Sequence, residues 1–177
     1  MPGGGGQAHR RKGGDGGRLG PLVRQPRPQA TDGRHYPGPA RRAVITAVDS
    51  SIIIDVLEPD PDHGPASREA LRRCLREGSM VACDVVWAEV ATAFGHAQAH
   101  AVEALGEIGI AYSPMSEDAA LRAAACWYRF RRRSAGKGRI VADFLVGGHA
   151  VTQADRLLTR DRGFYRDYFK PLTLVVP

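Results

Sequence analysis

Cysteine is scarce in this chain of 177 residues: Cys74, Cys83 and Cys126 are the only three, an odd number without any C-x-x-C spacing. That excludes a disulfide framework and a cysteine-rich zinc site, and it reads as buried thiols in a cytoplasmic protein. Long apolar runs are also missing. Nothing approaches the roughly 18–20 residues that a membrane-spanning helix needs, so no membrane partner is expected. The opening MPGGGGQAHRRKGG has no apolar core of a secretory leader. Arg41-Arg42 precedes AVITAV, but Asp49 cuts that apolar stretch too short for a twin-arginine leader.

What is present is unevenly distributed. The formal net charge is +6. Residues 1–42 hold nine Lys and Arg against Asp15 and Asp32, a net +7, whereas residues 43–177 hold sixteen basic and seventeen acidic side chains. The same first segment holds 11 of the 21 glycines and 6 of the 12 prolines. Such a composition cannot bury enough apolar surface to offset its ordering entropy, so residues 1–42 are expected to be a disordered tail. It is a phosphate-contacting arm, a solubilising arm, or an upstream extension from a misplaced start. The function belongs to residues 43–177.

There the pattern alternates strand and helix. AVITAVD (43–49) reads as a buried strand that feeds a helix, IIIDVL, through a capping serine at Ser50-Ser51. Pro65 opens a helix with Ala70, Leu71, Cys74 and Leu75 on one face, stopped at Gly78. Residues 80–86 (MVACDVV) read as a second strand, with Asp84 capping a helix from Trp87 that continues to about Glu107. A short strand follows at 108–113. Ser116 caps a helix with Glu117 and Asp118 in its first turn and Arg129, Arg131, Arg132 and Arg133 in its last, charges that suit the helix dipole. A loop containing SAGKG precedes a helix over 140–153, then a strand RLLTRD (156–161), a short turn GFYRDYF, and a last strand LTLVV (172–176). The class is α/β: a central parallel sheet with helices on both faces, three layers in all.

In such sheets ligands bind outside the carboxyl ends of the strands, near a topological switch point. Asp49 and Asp161 end the first strand and the RLLTRD strand; Glu89 and Asp143 lie near the starts of two helices that reach the same rim. Four converging carboxylates repel one another, by about 3 kcal/mol per pair at 5 Å and an effective dielectric near 20. A cation relieves that repulsion, and hard oxygen ligands select Mg²⁺ or Mn²⁺. The chemistry indicated is metal-dependent phosphodiester hydrolysis.

Seventeen acids occur in this part of the chain, so spacing alone does not single out these four. Their surroundings do: AVDSSIIID, WAEVATAF, RIVADFLVGGHA and LLTRDRGFYRDYF together resemble the PIN-domain family, and within it the VapC-type toxins of bacterial toxin–antitoxin pairs. The resemblance covers about residues 43–177. It implies a PIN-like α/β nuclease fold and Mg²⁺- or Mn²⁺-dependent hydrolysis of RNA by an activated water. The family's acidic positions fall on Asp49, Glu89, Asp143 and Asp161, which would be both metal-holding and catalytic. The small polar residue after the first acid falls on Ser50, whose hydroxyl would orient a carboxylate or a water; Ser51 stands where many relatives carry Asn. The resemblance further implies an RNA substrate, a VapB-like antitoxin as partner, and a homodimer.

Other readings stand beside it. The acids taken singly have structural roles open to them, Asp49 as a helix cap, Asp161 as a turn residue, Glu89 as helix-dipole charge and Asp143 as a solvated helix acid. Arg131, Arg132, Arg133, Lys137 and Arg139 form a basic stretch before Asp143 that would contact RNA phosphates, or simply suit a helix C-terminus. Gly136-Lys137-Gly138 lacks the following Ser or Thr of a P-loop, and His96 and His100 lack the glutamate of a zinc H-E-x-x-H motif. His149 is expected to be a packed helix residue. The alternatives to a toxin are a stand-alone RNA-processing nuclease, a non-catalytic RNA- or protein-binding module, and a small-molecule phosphatase.

Overall fold

The structure, a computed structural model, describes residues 43–58, 60–133 and 141–177. The expected tail, Lys137 and Arg139 lie outside the described residues. Five strands form one wholly parallel sheet: β1 (Val44–Val48), β2 (Gly78–Ala82), β3 (Ile110–Tyr112), β4 (Arg156–Leu158) and β5 (Thr173–Val175), in the order β3-β2-β1-β4-β5. Seven described helices flank it: α1 (Ser50–Leu57), α2 (Gly64–Glu77), α3 (Asp84–Thr92), α4 (Ala99–Glu107), α5 (Glu117–Arg133), α6 (Val141–Gln153) and α7 (Arg162–Tyr168). None of the described helices is long and apolar enough to cross a membrane.

The chain first builds outward from β1 through β2 to β3. It then returns through α5 and α6 to the opposite side of β1, laying down β4 and β5. The direction of winding reverses between β1 and β4, which is the switch point where parallel sheets open a crevice. Register across that seam is fixed by Thr46 opposite Arg156, Ala47 opposite Leu157 and Val48 opposite Leu158. Val48, Leu157 and Leu158 are buried, so the seam is filled with branched side chains.

Several local expectations change. The capping serine is not one: Asp49 occupies the N-cap of α1, and no side chain caps that helix. β2 begins at Gly78 rather than Met80 because Gly78 lies directly against Val44, where a Cβ would overlap its carbonyl oxygen. With the strand moved back, Cys83 takes the N-cap position and Asp84 becomes the first residue of α3, which ends at Thr92 instead of running on to Glu107. The segment read as a short turn, GFYRDYF, is helix α7. Its Phe164 and Tyr168, with Phe169 just beyond, pack on Phe144 of α6, and Tyr168 also meets Phe130 of α5, with ring centroids 4.9–6.5 Å apart. Burial of that aromatic face supplies what a seven-residue helix lacks on its own. Leu75, expected on the core face of α2, is half exposed.

Two glycines inside α6 follow from the same packing. A Cβ on Gly148 would lie 2.5 Å from the Ala119 carbonyl oxygen of α5, and one on Gly147 would strike the Phe169 ring. Only a bare backbone lets α6 approach α5 and the end of α7 together. That close approach holds Asp143, four residues earlier on α6, over the switch point. The three cysteines are buried free thiols, and His149 is buried with its Nε2 2.9 Å from the Ser113 hydroxyl.

Candidate active site

The four acids named above line one cleft of about 700 Å³, together with Ser50, Ser51, Ala142, Arg160, Arg162 and Gly163. Each arrives on a different element. Asp49 follows β1, and its backbone N–H continues the ladder by donating to the Leu158 carbonyl at 3.0 Å. Glu89 lies in the second turn of α3, and Asp143 in the first turn of α6 where the helix dipole favours a carboxylate. Asp161 is the N-cap of α7: its Oδ1 accepts from the Phe164 N–H at 3.0 Å. The turn role open to Asp161 is therefore real, and it coexists with a place on the cleft wall.

Asp49 is not used as a cap. Its Oδ2 accepts the Thr159 hydroxyl at 2.6 Å and the Ser51 hydroxyl at 3.3 Å. Burial pushes its carboxyl above the ordinary aspartate range. The two hydroxyl donors oppose that rise, and the nearby charges of Glu89 and Asp143 add to it. The carboxylate thus sits where ionisation is costly and a cation would be welcome.

Thr159 escaped the reading of the sequence. It is fully buried just after β4, and its one hydroxyl serves both acids of the switch point. It donates to Asp49 and accepts the Asp161 backbone N–H at 3.1 Å. The available signal was its position: two residues before Asp161, at the carboxyl end of a strand adjacent to β1. Ser51 rather than Ser50 touches Asp49, so a serine hydroxyl supports the carboxylate from the position where many relatives carry Asn; Ser50 lines the cleft beside it.

Arg160, also unanticipated, brings a cation to the acidic wall. Its Nη2 lies 3.3 Å from Oδ1 of Asp55, a buried α1 carboxylate whose Oδ2 takes the Ser67 hydroxyl at 2.6 Å. Asp84, the other acid near the rim, is engaged elsewhere. It accepts the Tyr112 hydroxyl and the Met115 N–H, and the tyrosine hydrogen bond holds its carboxyl below the ordinary range. The basic stretch at 131–133 is divided by the helical turn. Arg131 and Arg132 stack on Trp127 and Tyr128, while Arg133 faces a separate hollow beside α7.

The donor set suits a hard divalent cation: side-chain oxygens, partly desolvated, carrying surplus negative charge. Among the described residues, no three His, Cys, Asp or Glu side chains are drawn close enough to form a closed cage.

The PIN domain family matches residues 46–170. Among solved structures, the chain is similar to VapBC2 from Rickettsia felis bound to a DNA fragment from their promoter: 15% identity and a TM-score of 0.55, covering 75% of this chain and 98% of that one. It is also similar to VapBC-1 from nontypeable Haemophilus influenzae (16%, 0.56, 75% and 97%) and to FitAcB from Neisseria gonorrhoeae (19%, 0.50, 73% and 95%). At these identities the likeness is one of fold. Comparison with curated protein sequences returned no match.

Proposed function

The chain belongs to the PIN-domain family, and from that premise we propose that it is a divalent-metal-dependent endoribonuclease, the toxin of a VapBC-like toxin–antitoxin pair. The observation that carries this reading is the convergence of Asp49, Glu89, Asp143 and Asp161 on one cleft at the β1/β4 switch point. Burial holds the Asp49 carboxyl above its ordinary range, against the Thr159 and Ser51 hydrogen bonds, and the charges of Glu89 and Asp143 add smaller contributions in the same direction. Mutual repulsion of this kind costs stability, and a bound cation offsets it.

Asp49, oriented by Thr159 and Ser51, would be the principal ligand of Mg²⁺ or Mn²⁺, with Glu89, Asp143 and Asp161 holding it directly or through water. When bound there, the ion would lower the pKa of a water and offset charge building on the phosphate. The residues themselves do the rest. The Thr159 hydroxyl donates to Asp49 Oδ2, which holds that carboxylate oxygen in place. Ser50 presents a hydroxyl at the rim that can orient a water. Arg160, tethered by Asp55, sets a fixed positive charge where a phosphate would enter.

The partner follows from the same electrostatics. The similar structures are named as VapBC and FitAB assemblies. A VapB-like antitoxin would inhibit this chain by inserting a basic side chain among the carboxylates, replacing the metal's charge. The reading carries with it a homodimer and a cytoplasmic location.

Incubating RNA with the purified protein and Mn²⁺ tests the assignment. Expected are fragments with 5′-phosphate and 3′-hydroxyl ends, with cleavage abolished by chelator. Products ending in 2′,3′-cyclic phosphate would show attack by the ribose 2′-oxygen and reject the mechanism.

A further inference from the structure

Helix α7 joins two features of opposite charge. Its first residues, Arg162 and Gly163, line the acidic cleft. Its last turn and the residues after it line a basic hollow. There Arg122, Arg129 and Arg133, on one face of α5 at spacings of seven and four, meet Lys170 across a cavity of about 270 Å³. A second hollow of about 540 Å³, lined by Arg133, Arg166, Asp167, Tyr168 and Lys170, continues it along α7. The one acid in either hollow, Asp167, lies 3.5 Å from Arg166. Among the described residues, Arg122, Arg133 and Lys170 have no carboxylate partner.

Arg162, Arg166 and Lys170 are all exposed and recur every fourth residue. On a helix that spacing stacks Arg162 and Arg166 on one side, about 6 Å apart along the axis, and α7 as a whole spans only about 10 Å. A row of cations at such intervals, leading away from a phosphodiester-cleaving cleft into a concave basic surface, matches the repeat of a nucleic-acid backbone. Unpaired cations brought together repel one another, and a polyanion that replaces their counterions gains the entropy of counterion release.

We propose that the α7 edge is a phosphate track: Arg162, Arg166 and Lys170 guide the backbone of single-stranded RNA out of the cleft to a docking hollow formed by Arg122, Arg129 and Arg133. The contacts are to phosphate, so the track positions RNA without reading its sequence. Arg129 also ties α5 to the end of α7, its guanidinium 3.0 Å from the Cys126 sulfur and 3.5 Å from the Tyr168 carbonyl oxygen. The track therefore does not require α7 to move. This proposal rests on the ribonuclease reading and extends it to a surface outside the acidic site.

The test measures binding of fluorescein-labelled single-stranded RNA by anisotropy, in chelator so that nothing is cut, across a salt series. The triple variant Arg122→Gln/Arg166→Gln/Lys170→Gln removes exposed cations and spares Arg129. Its salt slope should shrink in magnitude by about 2, with binding on the order of 100-fold weaker at 0.1 M salt. The control variant Arg72→Gln/Arg73→Gln/Arg76→Gln removes as much charge from α2 and should bind like the parent; thermal melts confirm that both are folded. A triple variant with the parental slope, or equal losses in both variants, overturns the track. So does a parent protein that binds polyglutamate but no RNA, which would make this surface a protein-docking site. A parent that binds RNA with the expected slope yet never cuts it with Mn²⁺ keeps the track and defeats the ribonuclease reading instead.

Discussion

Asp49→Asn separates the two demands that meet in this site. Burial and the charges of Glu89 and Asp143 raise the Asp49 carboxyl above its ordinary value, outweighing the Thr159 and Ser51 hydrogen bonds. A carboxyl whose pKa is raised on folding binds its proton more tightly in the folded state. Its penalty is absent below the unfolded pKa, grows as pH rises from there to the folded pKa, and is fully present above it. The apo Asn variant should therefore be more stable than the parent at neutral pH, with the gap closing as pH falls toward the acid range. Every tenfold gain in proton affinity on folding is worth about 1.4 kcal/mol, and for a domain of this size 1 kcal/mol moves Tm by about 3–5 °C. Mn²⁺ should reverse the order. A ligand at a hundred times its Kd stabilises the parent by about 2.7 kcal/mol, while the Asn variant, having lost the central carboxylate, should respond little and should not cleave RNA. Paired melts at pH 7 and pH 4, with and without Mn²⁺, give all four values. An apo Asn variant less stable than the parent at pH 7 would refute the reasoning, because the hydroxyl hydrogen bonds would then outweigh burial and repulsion.

Thr159→Val should cost about 1–3 kcal/mol, because a buried Asp49 oxygen loses a donor and the Asp161 N–H loses its acceptor. Thr159→Ser should recover most of that in a denaturant titration, along with cleavage. Arg160→Met should destabilise by about 2 kcal/mol, less than the 3–5 of a fully buried pair since the arginine is partly solvated. The double change Arg160→Met/Asp55→Asn should recover part of the loss, and a double-mutant cycle reads it. Gly148→Ala should cost about 3 kcal/mol by forcing α6 off the Ala119 carbonyl. It should also depress cleavage by displacing Asp143, whereas Gly106→Ala, where nothing lies within 4 Å, should be neutral or stabilising.

The parallel α/β architecture was legible in the sequence because its signals are local: β-branched runs, amphipathic spacing, and Ser116, whose hydroxyl accepts the Ala119 N–H at 3.2 Å. The four acids could be named because the blocks around them resemble the PIN-domain family, since position alone does not single them out among seventeen acids; the topology then lines them along one cleft. What was hidden depended on long-range contact. Thr159 meets Asp49 across 110 residues, and nothing near LLTRD marks its hydroxyl as directed at another strand. The start of β2 at Gly78 is fixed by the approach of Val44, not by any local strand signal. GFYRDYF read as a turn because seven residues are too few for a stable isolated helix, and only the aromatic packing on α5 and α6 reverses that. Within the basic stretch, Arg133 lines a different hollow from Arg131 and Arg132 because helical residues point in successive directions about 100° apart, a division that the run of arginines does not display.

Titrating Mn²⁺ into the chelator-stripped protein in a calorimeter asks most directly whether these carboxylates share a cation. The account predicts saturable uptake by the parent that disappears in Asp49→Asn while the fold persists. Heat no greater than dilution for the parent, or undiminished uptake by the Asn variant, would contradict it.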